Sequence, residues 1–150
     1  MNRLSVRRLA NLAIGVCVAL FFSHHAAANE TDARNFLTVV TGSVPSANDP
    51  RISIVQRQFE MIEHYCATTN SGPGIHDKLG YGHSQLRVQH SLMAMLTDFV
   101  RIARAQCAQV DSTTLVTLYV LERNSGKSYF TTVEGLMKNP KVLLAKWKAR

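Results

Sequence analysis

The 150-residue sequence lacks any apolar run long enough to cross a membrane as a helix. The longest, Leu9 to Phe22, covers about 14 residues and is interrupted by Asn11, short of the roughly 20 that a bilayer requires. This argues against a retained anchor and for a leader: Arg3, Arg7 and Arg8 form a basic start, and Ala26-Ala27-Ala28 a small-residue cleavage site. Residues 1–28 are expected to be a cleaved secretory signal peptide, with cleavage after Ala28 and a periplasmic or secreted product. Cys17 follows Val16, which lacks the small residue that a lipoprotein signal needs. Leu9-Ala10-Asn11 does not continue as a twin-arginine signal does, so the general secretory route is favoured. Export excludes functions that draw on cytosolic nucleotide pools and makes nucleic acid an unexpected partner.

Cysteine is scarce. Of three, Cys17 would leave with the leader, so Cys66 and Cys107 form an even pair with one intramolecular pairing available. A disulfide is the expected outcome; two buried free thiols or a catalytic thiol are the competing readings. The spacing is not that of a Cys-x-x-Cys redox motif. Acidic residues are missing after Glu134, although Lys138, Lys141, Lys146, Lys148 and Arg150 follow it. With the three leader arginines set aside, 14 of the 17 basic residues face 10 acidic ones, so a nearly neutral body carries a basic C-terminal tail, residues 137–150. Residues 29–150 suit one small globular domain.

What is present is mostly helical periodicity. Residues 31–40 suit a short helix with Phe36, Leu37 and Val40 as contacts. Asn48 or Asp49 before Pro50 is a helix start signal, and Ile52, Val55, Phe59, Ile62 and Cys66 recur on one face from there. Asn70-Ser71-Gly72-Pro73-Gly74 and Gly80-Tyr81-Gly82 punctuate residues 69–82 as a long Gly-rich loop, the first place to look for a site. A second long helix is expected from Ser84, as its N-cap, to Ala108, with Leu86, Met93, Val100 and Cys107 repeating every seventh residue. Both cysteines then fall at helix C-terminal ends. A bond between them requires the two helices to run roughly parallel or cross steeply, with the loop strapped back across them.

The C-terminal third changes character. Residues 115–121 and 129–133 are rich in β-branched and aromatic side chains around Arg123-Asn124-Ser125-Gly126-Lys127, the pattern of a β-hairpin with a glycine bulge. A helix over 112–123 is the alternative, because both faces of the run are apolar. After Pro140, Val142, Leu143 and Trp147 form a stripe beside lysines. The expected fold class is therefore α+β, mostly helical: two long amphipathic helices linked by a Gly-rich loop, a C-terminal β-hairpin and a short basic amphipathic helix, with an all-α fold as the alternative.

Candidate chemistry is sparse. His64, His76, His83 and His90 bring four imidazoles near the loop, and neutral imidazole binds metals. His76, His83 and His90 are the candidate metal set, yet a seven-residue spacing rises about 10.5 Å on a helix, unsuited to one ion. Ordinary surface or capping histidines are the simpler reading. Gly80-Tyr81-Gly82-His83-Ser84 with His76-Asp77 offers a hydrolase reading, but it is not a Gly-x-Ser-x-Gly elbow, and Glu60 with Glu63 reads as solvated charge. No cofactor is expected, and enzymatic activity is the less favoured class.

The function expected is that of an exported, non-catalytic binding protein engaging another macromolecule, such as an inhibitor, immunity or secretion-accessory factor. His76, Asp77, Tyr81 and His83 are its candidate partner loop, and Lys141, Lys146, Trp147 and Lys148 its candidate basic face. A protein partner in the envelope or outside the cell is expected, with weak membrane-surface contact through the tail as a lesser use. The alternative is a periplasmic metal or small-ligand binder using His76 to His90.

Overall fold

The start signal at Asp49-Pro50 is realised as a helix N-terminus: the Asp49 carboxylate accepts from the Arg51 amide at 2.9 Å, and proline sits where no amide is needed. In the computed structural model of the protein, residues 30–69 and 74–149 are described. The predicted leader, residues 1–28, lies outside them, as do 70–73 within the predicted Gly-rich loop. The described residues form α1 (30–41), α2 (Pro50–Tyr65), α3 (Ile75–Ser84), α4 (Leu92–Gln106), α5 (Ser112–Asn124), α6 (Tyr129–Lys138) and α7 (Pro140–Lys148). None is long and apolar enough to cross a membrane.

Several expectations hold. α2 buries Ile52, Val55, Phe59 and Ile62. Phe36 of α1 meets Phe59 edge-to-face with ring centroids 5.4 Å apart. Cys66 and Cys107 cap the C-terminal ends of α2 and α4 and are joined in a disulfide, their Cα atoms 4.7 Å apart. Gln58, eight residues before its cysteine, reaches Thr97, ten before the other, so α2 and α4 run side by side in the same direction.

The predicted β-hairpin is absent: among the described residues there is no strand, and the fold is all-α. Residues 115–121 lie in α5 and 129–133 in α6. Both helices are capped from the sequence itself. Asp111 accepts from the Thr114 amide at 2.9 Å and Ser128 from the Thr131 amide at 3.1 Å. Gly126, at φ 88°, takes the left-handed position that follows a helix, not a hairpin bulge. β-branched residues disfavour a helix by only about 0.5 kcal/mol each, whereas burying one contributes about 1.5–3 kcal/mol. α5 buries Leu115, Val116, Leu118, Tyr119 and Val120 because α3, α4, α6 and α7 all pack on it. A helix surrounded in this way is apolar on nearly every side, the pattern that imitates a strand.

The Gly-rich loop is also corrected. Residues 75–84 form α3, and the second long helix starts at Leu92, capped by Ser91. Ser84 closes α3 instead of opening α4, its hydroxyl donating to the Tyr81 carbonyl at 2.7 Å. Gly82 is a packing notch, not a breaker: a Cβ built there would stand 2.5 Å from Val116 Cγ1, so the bare backbone lets α3 press on α5. The segment that had to return across the helices does so as a helix, packing on α2, α4 and α5.

Candidate functional site

α5 turns one face to solvent. Thr113 and Thr117 are exposed there and Leu121 is half-buried, each four residues from the last. On one side, between α3 and α5, a depression of about 330 Å³ is lined by Asp77, Lys78, Tyr81, Thr113, Val116 and Thr117. It shares Tyr81, Val116 and Thr117 with a second, of about 400 Å³, whose lining continues through Gln85, Arg87, Leu121 and Asn124. On the other side, between α5 and α7, a third of about 280 Å³ is lined by Thr113, Thr117 and Leu121 with Leu144, Trp147 and Lys148. Since all three share α5 residues, they form one open trough with α5 as its floor, α3 as one bank and α7 as the other. Asn124 ties the α3 bank in place by donating to the Gln85 carbonyl at 2.9 Å and accepting from the Arg87 amide at 2.7 Å.

Among the described residues three charged side chains lie beneath the surface. Lys78 donates to Ser112 Oγ at 2.8 Å; burial pushes its ammonium down from the usual lysine range, against the pull of Asp111. A serine–lysine pair is the nucleophile-and-base unit of some hydrolases, but Ser112 is fully enclosed and no substrate carbonyl reaches its oxygen. Here the pair holds the first turn of α5 against α3. Asp98 of α4 is also enclosed; its Oδ1 accepts from the Tyr129 hydroxyl at 2.5 Å, and its Oδ2 lies 3.9 Å from His90 Nε2. Burial raises the Asp98 carboxyl above its ordinary value despite the bond from Tyr129 and the nearby His90 and Arg101. His90 Nε2 is 2.8 Å from the Tyr119 hydroxyl, and burial, aided by Arg123 and His83, lowers its pKa against the pull of Asp98. This cluster joins α4, α5, α6 and the connector before α4, outside the lining of the trough.

The third is Glu122 of α5, bonded by Lys127 and, at 2.7 Å, by Trp147 Nε1. Burial pushes the Glu122 carboxyl up, but the bonds from Lys127 and Trp147 and the charges of Lys127 and Lys146 outweigh it and hold it below its ordinary value.

The candidate residues therefore separate. Asp77 and Tyr81 line the trough from α3, with Tyr81 71% exposed. His76 points elsewhere, against Phe36 and Phe59, at centroid distances of 6.3 and 6.1 Å. His83 Nε2 bonds the His90 carbonyl at 2.7 Å, so these two share a backbone contact, while His76 is apart from both. Among the described residues no group of three His, Cys, Asp or Glu side chains is placed to hold a metal ion. On α7, Trp147 and Lys148 line the trough, Lys146 lies beside Glu122, and Lys141 is exposed on the face shared by Leu144 and Lys148.

Sequence reading missed Lys78, Asp98, Glu122, Tyr119 and Tyr129, and the signal that reveals the three charges is register. Lys78 falls between Ile75 and Leu79, Asp98 between Met95 and Ile102, and Glu122 follows Leu115 and Tyr119, each on the face its helix buries. A charge at a core position demands a partner. No family model, curated protein or solved structure matches the chain.

Proposed function

We propose that the protein is an exported, non-catalytic binding protein that engages a protein partner in the cell envelope or outside the cell. The observation that carries this reading is the trough on α5: an open, largely apolar channel floored by threonine, valine and leucine, with exposed Tyr81 on one bank and Trp147 and Lys148 on the other. Tyrosine and tryptophan at the edge of an apolar floor are the side chains that anchor protein interfaces. The scaffold around the trough is rigid by construction, with Lys78–Ser112 and Asn124 fixing one bank and Trp147–Glu122 the other. The leader-like first 28 residues and the Cys66–Cys107 bond support placement in an oxidising compartment.

A photo-crosslinking residue at position 117, expressed in the natural host, tests both parts. The expected result is a protein adduct that is absent from a control at exposed Arg104, on a mature chain whose mass begins at Asn29. A chain starting at Met1 overturns the export, and absence of adducts at position 117 and across the rest of the surface overturns the binding.

A further inference from the structure

Resting on that reading, we propose that the trough receives an amphipathic helix of the partner protein, apolar along the side that meets α5 and acidic along the side that meets α7. An extended peptide is a poor occupant. Its backbone amides and carbonyls would lie on a floor of helices whose own backbone bonds are already closed, with no strand edge among the described residues to pair with. A helix arrives with its backbone satisfied and needs to offer only side chains. From Thr113 to Asn124 the floor rises about 16 Å, three helical turns, enough for a guest of about 11 residues.

Charge sets the chemistry of the guest's flank. Lys148 lines the α7 bank, Lys141 shares its face, and α7 itself carries no acidic residue. Arg87 adds a positive charge at the far end of the α3 bank, and at the opposite end Asp77, the one acid in the lining, stands next to Lys78. Carboxylates along the guest's α7 side complement this field. A second copy of the chain does not fit the description. A two-fold contact through the trough would set lysine against lysine.

The test uses the oxidised protein and two fluorescein-labelled helical peptides of about 13 residues, both with a leucine stripe at spacings of three and four, one flanked by glutamate and its twin by lysine. Fluorescence anisotropy is expected to show the glutamate peptide binding at least about tenfold tighter than its twin, with added salt narrowing the gap. Lys141→Glu with Lys148→Glu should reverse the preference. Thr117→Arg, at an exposed position, should abolish binding while circular dichroism and melting stay unchanged. Equal binding of the twins, or binding indifferent to Thr117→Arg, overturns the proposal, as does self-association in sedimentation that the same substitution abolishes. An adduct at position 117 without a preference for the acidic peptide removes the acidic helix alone and leaves the binding reading standing.

Discussion

Tyr129 donates its hydroxyl to Asp98 Oδ1 at 2.5 Å, so the first residue of α6 is bolted to the buried middle of α4 by a carboxylate that also faces His90. Tyr129→Phe removes a donor from an enclosed acceptor and should cost about 1–3 kcal/mol in urea unfolding. The pH dependence follows from two shifts of opposite direction. Asp98 has a folded pKa above its unfolded 3.8, so its stabilising contribution is complete below that value and is lost as pH rises through the folded one. His90 lies below 6.5 when folded, so its contribution is complete above 6.5 and is lost as pH falls through the folded value. Relative to the parent, Asp98→Asn should gain stability as pH climbs above 3.8, and His90→Gln as it drops below 6.5. Unfolding curves that stay parallel across this range would refute the assignment.

Trp147 tethers α7 to the core through Glu122, and Trp147→Phe keeps a smaller aromatic ring but removes that bond. A loss of about 1.5–3 kcal/mol is expected, as for hydrogen bonds to charged groups. Glu122 has a folded pKa below its unfolded 4.5, so its contribution is present above 4.5 and lost as pH falls through the folded value. The variant should therefore show a shallower acid limb, together with faster proteolysis of residues 138–149. An unaltered acid limb would mean that the indole bond does not hold the Glu122 charge.

Two glycines two residues apart should respond in opposite directions. Gly82→Ala places a Cβ 2.5 Å from Val116 Cγ1 and should destabilise by about 1–3 kcal/mol. Gly80→Ala meets nothing within 4 Å and should stabilise α3 by about 0.5–1 kcal/mol. Thermal melts of the two single variants decide it; a shift of the same sign would contradict the close approach of α3 to α5.

Reducing the Cys66–Cys107 bond opens a loop of about 42 residues and should lower stability by about 4 kcal/mol on chain-entropy grounds. Paired chemical denaturation of the oxidised protein and of the Cys66→Ser, Cys107→Ser double variant measures this directly. Coincident transitions would show that side-chain packing between α2 and α4 alone fixes their ends.

α2 was legible because Ile52, Val55, Phe59 and Ile62 fall on a single face and its cap is Asp49, one of the two residues the sequence offered. The disulfide was legible because two cysteines admit one pairing. α5 was not: packed on by four other helices, it shows solvent only a narrow strip at Thr113 and Thr117, and those threonines are themselves β-branched, so its composition reads as strand. The trough was hidden for the same reason, since Thr113 and Thr117 become a surface only once residues 112–124 are helical. Tyr81 and Asp77 were found, but as members of a loop, because the glycines around Tyr81 read as breaks when Gly82 serves contact with Val116. The histidines drew attention by number, and only the fold could show that His76 faces two phenylalanines while His90 faces two tyrosines.

The floor of the trough is the same helix on which α3, α4, α6 and α7 converge. A guest lying along α5 needs the folded helix and the banks packed on it, so it binds only the native state and its occupancy is thermodynamically linked to global unfolding. Differential scanning fluorimetry thus becomes a direct screen: compounds or peptides that seat there raise the melting temperature in proportion to the logarithm of their concentration, whatever the identity of the natural guest.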